Sequence, residues 1–236
     1  LSRAALKVQD GCTQRCSYCI VPDARPGLKS RPISTVIDEA ERLLSAGHCE
    51  VVLTGTHLGL YGLNWSPSDG TAPPTFTQMS LAPRSGDSLT QLVRRLLDLS
   101  CDHPYRIRLS SLEAPEVTQE IIRMAAERPD RFCPHFHLPM QHAADPVLRR
   151  MRRRWSSARF TELCLQIQET LPMVTLSTDV MVGFPGETDG DFAILCDTIR
   201  RIGFGGVHIF RYSRRIGTEA DRSVFALTPS CRNGGD

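Results

Sequence analysis

The sequence predicts an α/β protein, built as a partial (β/α)6 barrel of the TIM type, and three observations support this fold class. First, six short segments that are apolar, or that alternate apolar with polar residues, are separated by amphipathic segments with a helical period along the 236 residues. Strands that alternate with helices usually form a parallel sheet covered by those helices. Second, glycine and polar residues gather where the predicted strands end, which is the functional end of a β/α barrel. Third, six repeats are too few for a closed eight-stranded barrel.

Each element has its own signal. The strands are rich in β-branched or alternating apolar residues. They are predicted at Ala5–Gln9, Glu50–Gly55, Tyr105–Ser111, His135–Gln141, Val174–Gly186 (a strand that ends in a glycine turn) and Gly206–Ser213. The helices begin near capping residues and several end at glycine. They are predicted at Ser34–Gly47, Ser88–Ser100, Glu116–Arg128, a short segment 145–151, Ser157–Leu171 and Asp189–Gly203.

Composition sets the broad class. The chain is 41% hydrophobic and 23% charged, which is typical of a soluble globular protein. A formal net charge of +2 means that any nucleic-acid binding depends on a local basic patch. No apolar run approaches the roughly 20 residues of a membrane span. With no secretory signal in the sequence, we expect a cytoplasmic protein without membrane contact, whose cysteines are reduced.

Domain organisation is predicted to be simple. Residues 1–236 are expected to form one domain. The stretch 63–87 is rich in Pro, Ser, Gly and Thr and is expected to be a flexible insertion, because it is long for a βα loop. Residues 221–236 are expected to be an irregular tail. Leu1 is not an initiator methionine, so we expect a fragment or one domain of a longer protein.

Three cysteines, Cys12, Cys16 and Cys19, follow the first predicted strand with the spacing C-x3-C-x2-C. Structural zinc takes four ligands, so three thiolates leave one coordination position open. Thiolates at this spacing suit either zinc or an iron–sulfur cluster. A zinc site completed by a distant residue such as His48 or Cys49 stays open as an alternative. A second alternative is a histidine metal site around His135 and His137, whose side chains point to one side of a strand.

Six motifs carry a family resemblance. They are VQDGCTQRCSYCIVPDARPGLKSRP, RLSSLEAPEV, LPMQ, RMRRRWS, TDVMVGFPGET and YSRRIGTEA. Together they resemble the methylthiotransferase branch of the radical S-adenosylmethionine (SAM) superfamily from Lys7 to Ala220. The stretch EVVLTGTHLGLYG looks most like the enzymes that modify threonylcarbamoyl-adenosine in tRNA. Alternatives are an enzyme for isopentenyl-adenosine tRNA or a ribosomal protein, another radical enzyme such as a methyltransferase, and a non-catalytic iron–sulfur or zinc-binding remnant.

The resemblance implies a fold and a reaction. The fold is a partial barrel of the radical SAM type. Cys12, Cys16 and Cys19 would hold a [4Fe–4S] cluster whose open iron binds S-adenosylmethionine. Reductive cleavage would give a 5′-deoxyadenosyl radical, and a methylthio group would be added to threonylcarbamoyl-adenosine beside the anticodon of tRNA. The implied partners are tRNA and a reductant protein such as a flavodoxin or ferredoxin.

The resemblance also implies further site residues. The cofactor would be bound by Tyr18, Gly55, Thr56, Ser111, Glu113, Gln141, Arg152 and Gly183. RNA would be bound by Arg153 and Arg154, which belong to the arginine run 149–154. Arginine pairs with carboxylates and phosphates alike, so the sequence leaves open which arginine serves which ligand.

The chain departs from the family pattern in its extent. Methylthiotransferases resemble a three-part chain, and neither the N-terminal methylthiotransferase domain, which carries a second cluster, nor the C-terminal RNA-binding module has a counterpart in these 236 residues. QHAAD also replaces the usual continuation after LPMQ. We therefore expect this chain alone to cleave S-adenosylmethionine but not to thiolate tRNA.

Overall fold

The computed structural model describes residues 3–66 and 88–223, together with positions 68, 70 and 72. These residues form seven strands. They are β1 (Arg3–Asp10), β2 (Lys29–Ser30), β3 (Glu50–Gly55), β4 (Arg106–Leu109), β5 (His135–His137), β6 (Thr175–Val182) and β7 (Gly206–Arg211). Six of them confirm the predicted strands, although β5 ends four residues before Gln141. The additional strand is the two-residue β2.

The strands form one curved arc. Its first part has the order β2-β1-β3-β4 and its second part the order β5-β6-β7. All the pairs are parallel except that of β2 with β1. Parallel bridges from Ile107 to Phe132 and from Ser111 to His137 join the two parts. The arc confirms the predicted partial barrel.

Seven α-helices connect these strands within the described residues. They are α1 (Val21–Ala24), α2 (Ile33–Ser45), α3 (Leu89–Leu97), α4 (Gln119–Glu127), α5 (Asp145–Arg150), α6 (Ser157–Thr170) and α7 (Asp189–Ile202). Ser88 caps α3 as predicted, because its side chain accepts from the backbone of Gln91. Ser34 is not the cap of α2, since the helix begins one residue earlier behind Pro32. No described helix is long and apolar enough to cross a membrane.

The main core lies between the arc and the helices. Strand residues such as Leu6, Leu53 and Ile107 are fully buried and pack in one cluster with Val36 of α2 and Leu92 of α3. Each such side chain contributes about 1.5–3 kcal/mol by leaving water. The opposite face of the strands borders a cavity of about 640 Å³. This inner cavity is lined by residues from both ends of the strands, such as Thr175 and Gly206 at their starts and Ser111 after β4.

The arc has two different edges. Residues 63–65 occupy the β2 edge, where Trp65 exchanges two backbone hydrogen bonds with Leu28. At the other edge, Ile209 and Phe210 of β7 are 69% and 52% exposed. Most of the predicted insertion 63–87 and of the tail 221–236 lies outside the described residues. A 3₁₀ turn at Ala220–Arg222 extends regular structure into the start of that tail.

Candidate active site at the strand ends

The cysteine loop begins directly after β1, at the carboxyl end of the arc. Gly11 starts it with a φ of +84°, and a Cβ there would lie 2.0 Å from the carbonyl oxygen of Gly27. The middle of the loop is held by Ser17, whose hydroxyl donates to the carbonyl of Arg150 at 2.7 Å. Ser17 also accepts a backbone hydrogen bond from Ala220. The loop is therefore fixed from both sides by distant parts of the chain.

Replacing Gly11 by alanine should destabilise the fold strongly. A left-handed backbone costs about 1–2 kcal/mol for alanine, and the clash with Gly27 adds about 1–3 kcal/mol. Gly47→Ala is the matched control, because its φ is +88° but no atom lies within 4 Å of its Cβ position. Urea unfolding of both variants measures the difference. Equal losses would show that Gly27 does not constrain the loop.

The three cysteines lie on this loop with polar partners near two of the sulfurs. Cys12 Sγ is 3.2 Å from His57 Nδ1 and accepts from the backbone N–H of Gln14 at 3.4 Å. Cys16 Sγ is 3.7 Å from Arg153 Nη1. Burial raises the pKa of the Cys19 thiol. Positive neighbours favour thiolates, which are the form of cysteine that binds metal.

Single-ion zinc binding is not supported by this arrangement. Among the described residues, the three cysteine sulfurs do not gather within 4.8 Å of one another as ligands of one ion do. His48 and Cys49 precede β3, whereas the cysteine loop follows β1, which runs parallel to it. The length of a strand, about 20 Å for six residues, separates the two ends. His48 and Cys49 are therefore too far from the cysteine loop to complete a zinc site there.

His57 and Glu116 form a buried pair behind Cys12 that sequence analysis missed. Their side chains are 6% and 7% exposed, and His57 Nε2 contacts Glu116 Oε1. Burial alone would lower the pKa of His57, but Glu116 and Cys12 outweigh it and raise that pKa to about 10. Glu116 therefore favours the charged form of the imidazole that lies against the first cysteine. Glu116 lies 59 residues away in sequence, and no local pattern indicates this contact.

The end of β3 packs against the end of β1. Thr56 Oγ1 donates to Asp10 Oδ1 at 2.7 Å, and this bond, with Lys7 and Arg25, holds the pKa of Asp10 well below its usual range. At Gly55, a Cβ would lie 3.0 Å from the side chain of Gln9. Gln9 is buried and accepts from the backbone of His57. The predicted cofactor residues Gly55 and Thr56 thus lie beside the cysteine loop, where they also support its base.

Arg153 is the central side chain of the site. It is 2% exposed and forms a salt bridge of 2.6 Å with Glu113, which is 16% exposed. The guanidinium also donates to the carbonyl of Pro139, lies 3.4 Å from the hydroxyl of Tyr18 and stacks on Trp155. A guanidinium so enclosed does not reach an RNA phosphate, so the prediction that Arg153 binds RNA is wrong.

The other arginines of the run 149–154 point in different directions. Arg150 donates to the carbonyls of Pro185 and Gly186 and so anchors the glycine turn after β6. Arg152 has a left-handed backbone, with a φ of 58°, and pairs with Glu219 in an exposed salt bridge. Arg149 and Arg154 are exposed. The left-handed residue turns the chain after α5, so the run is not one continuous helix face.

The remaining predicted residues lie at the strand ends on the far side of the arc. Gln141 bridges to Val180 and has a φ of 64°. Gly183 follows β6 with a φ of +73° and has no atom within 4 Å of its Cβ position. Ser111 is exposed and lines the inner cavity. These residues border the same end of the barrel as the cysteine loop.

Comparison with known proteins identifies the family of this arrangement. Residues 6–199 match the family model of the Radical SAM superfamily. This chain belongs to the radical SAM superfamily. The match runs from β1 through nearly all of α7, so it includes the cysteine loop and every strand end up to Gly183.

The chain is similar in sequence to curated proteins that are named as tRNA-modifying enzymes. It is 37% identical to the threonylcarbamoyladenosine tRNA methylthiotransferase MtaB of Bacillus subtilis over 98% of this chain and 47% of that protein. It is 34% identical to the tRNA-2-methylthio-N(6)-dimethylallyladenosine synthase of Methylacidiphilum infernorum over 92% of this chain and 43% of that protein. The chain therefore spans less than half the length of these relatives.

Solved structures agree on the radical SAM fold. The structure of the radical S-adenosylmethionine methyltransferase TsrM from Kitasatospora setae, with cobalamin and a [4Fe–4S] cluster bound, superposes with a TM-score of 0.68. The two chains are 16% identical, and the match covers 92% of this chain and 38% of that one. At this identity the likeness establishes the fold, and it confirms the α/β half-barrel.

Proposed function

We propose that the chain is the core of a radical SAM methylthiotransferase that acts on threonylcarbamoyl-adenosine in tRNA. The observation that carries the proposal is the loop of Cys12, Cys16 and Cys19 at the carboxyl end of β1, in a chain whose relatives bear methylthiotransferase names. Three MtaB proteins match over 94% or more of this chain. The dimethylallyladenosine synthases are somewhat less similar, at 32–34% identity.

The donor set fits a [4Fe–4S] cluster. The loop offers three thiols, which are free of disulfide bonds, and sulfur is the ligand that such clusters take. Cys12, Cys16 and Cys19 would hold it, and the three sulfurs are too far apart for a single ion. When bound with S-adenosylmethionine, the cluster supplies the electron that starts radical chemistry, which belongs to the cofactor rather than to the protein.

The protein's own contribution is charge and position. The guanidinium of Arg153 and the imidazole of His57 lie against the cysteine loop, and the pKa of His57 is raised by its partner Glu116. Arg153 is paired with the carboxylate of Glu113, and His57 is paired with that of Glu116. Because these groups are buried, water screens them little, and the paired carboxylates fix the positions of both cations beside the cysteine sulfurs. Fixed ion pairs also keep the loop from rearranging when ligands enter.

S-adenosylmethionine is proposed to lie across the strand ends. Its contacts are proposed from Tyr18, Gly55, Thr56, Ser111, Glu113, Gln141, Arg152 and Gly183, which border that end. Support is strongest for Gly183, since the space at its Cβ position is open. Support is weakest for Thr56 and Glu113, because their polar atoms already bond Asp10 and Arg153. RNA contact is proposed for Arg154 and is withdrawn for Arg153.

The proposed partners follow from the same chemistry. Transfer RNA is the substrate, and a cytoplasmic flavodoxin or ferredoxin supplies electrons to the cluster. The formal net charge of +2 is too small to attract RNA over long range. Phosphate contacts therefore depend on local groups, and binding should weaken steeply as salt rises.

The test uses the anaerobically reconstituted chain with reductant and S-adenosylmethionine. We expect release of 5′-deoxyadenosine, measured by liquid chromatography, because the cysteine loop and the strand ends are in place. The chain should bind tRNA that carries threonylcarbamoyl-adenosine more tightly than tRNA that carries the dimethylallyl group, as measured by competition between the two tRNAs. Cleavage without any preference for the first tRNA would favour the dimethylallyl or ribosomal-protein alternatives. No cleavage and no cluster would contradict the proposal and favour a non-catalytic remnant.

A further inference from the structure

The wall of the inner cavity carries three metal-binding side chains that the proposed function does not use. His137 ends β5, Asp179 lies within β6 and His208 lies on β7. Asp179 and His208 are direct partners across the β6–β7 pair, and His137 is the partner of Ser177, two residues before Asp179. Side chains two residues apart on a strand share a face. The register of three adjacent strands therefore brings these groups together.

Their geometry matches the ligand set of one ion. One ligand atom from each residue lies within 4.8 Å of the others. Asp179 Oδ2 is 3.2 Å from His137 Nε2, and Asp179 Oδ1 is 3.1 Å from His208 Nδ1. Ligand atoms around a tetrahedral ion with bonds of about 2.0–2.1 Å are roughly 3.3 Å apart. The observed spacings need little adjustment to accept an ion.

A second layer orients one of the imidazoles. His137 Nδ1 lies 2.9 Å from Ser177 Oγ, and the same hydroxyl is 2.9 Å from His135 Nε2. Histidine ligands typically use their second nitrogen in this way, which fixes the ring and directs the other nitrogen toward the metal. The predicted histidine pair thus divides into His137, which faces Asp179, and His135, which faces Ser177. His208 is 64% exposed, so an ion can enter from solvent.

We propose that His137, Asp179 and His208 bind a divalent first-row cation of the zinc type. Two imidazoles and one carboxylate are donors that suit such ions, unlike the all-sulfur set of the cysteine loop. Three protein ligands leave a fourth position for water or another oxygen donor. All three residues line the inner cavity, together with Ser110 and Ser111. The proposed ion site is independent of the cluster and of the proposed function.

Zinc binding to the cluster-loaded chain tests the proposal. After dialysis against buffered Zn²⁺, metal analysis should find one more zinc per chain in the wild type than in His208→Gln or Asp179→Asn. Because His208 is exposed, its replacement should not unfold the protein, and circular dichroism checks this. His103→Gln is the matched control, since the His103 ring lies outside the inner cavity and contacts the carbonyls of Leu44 and Pro104. It should bind zinc like the wild type.

A second experiment excludes zinc that is bound by the thiolates of the cysteine loop. With Cys12, Cys16 and Cys19 all replaced by serine, the same difference of one zinc should persist between the parent and its His208→Gln variant. In that background, Ser177→Ala should weaken binding about tenfold or more, because His137 loses its orienting partner. Equal zinc content in the parent and in the His208 and Asp179 variants would overturn the ion site while leaving the proposed function untouched.

Discussion

Replacing Cys16 by alanine is expected to abolish cluster assembly and all cleavage of S-adenosylmethionine. Three thiolates hold the cluster on one loop, and two cannot keep it against loss of iron. Iron and sulfide analysis after anaerobic reconstitution should fall from about four of each per chain to near zero. The loss of 5′-deoxyadenosine should be equally complete.

Cys49→Ala is the informative control for that experiment. Cys49 is exposed, lies before β3 and belongs to the zinc alternative that the sequence left open. Its replacement should leave iron, sulfide and cleavage unchanged. A loss of bound metal in Cys49→Ala, or stoichiometric zinc without sulfide in the parent, would restore that alternative.

Replacing Arg153 by methionine should cost far more stability than removing a charge from an exposed ion pair. The change leaves the Glu113 carboxylate buried without its partner, and breaking one side of a buried pair costs about 3–5 kcal/mol. Trp155 also loses the cation that stacks on its ring, whose guanidinium carbon lies 3.9 Å from the ring centroid. Urea unfolding of the cluster-free chain measures the effect without interference from iron.

Two further variants separate the buried ion pair from a general charge effect. Arg153→Met combined with Glu113→Gln should recover part of the lost stability, because no carboxylate remains buried and unpaired. Arg200→Met breaks an exposed pair with Asp197, whose partners are 75% and 77% exposed, and should change stability by less than about 0.5 kcal/mol. Similar losses in Arg153→Met and Arg200→Met would contradict the enclosed position of Arg153.

The fold could be predicted where its signals are local. The strand Glu50–Gly55 is found with the predicted bounds, since a β-branched run is closed by glycine. Ser88 caps its helix through a pattern that spans four residues. By contrast, β2 has only two residues and depends on pairing with β1 some twenty positions earlier. No periodicity can indicate so short and non-local a strand.

The candidate site likewise has features that local sequence predicts and features that it does not. The cysteine spacing is local, so the loop could be recognised from sequence. The position of each arginine side chain could not be predicted from sequence, because the left-handed backbone at Arg152 decides which neighbour points inward. A helical pattern does not show that turn. Glu116 and His57 meet only through the folding of two βα units, and Arg153 reaches Glu113 across 40 residues.

The two edges of the open arc differ in how much unpaired backbone they present. A closed barrel has no free edge, but this one has two, and they are unequal. At one end, β2 offers two residues, and the chain segment 63–65 already lies against it. At the other end, among the described residues, β7 pairs with β6 alone and presents six residues of backbone donors and acceptors. Among the described residues, β7 is therefore the edge with the longer unpaired backbone for an additional strand to join.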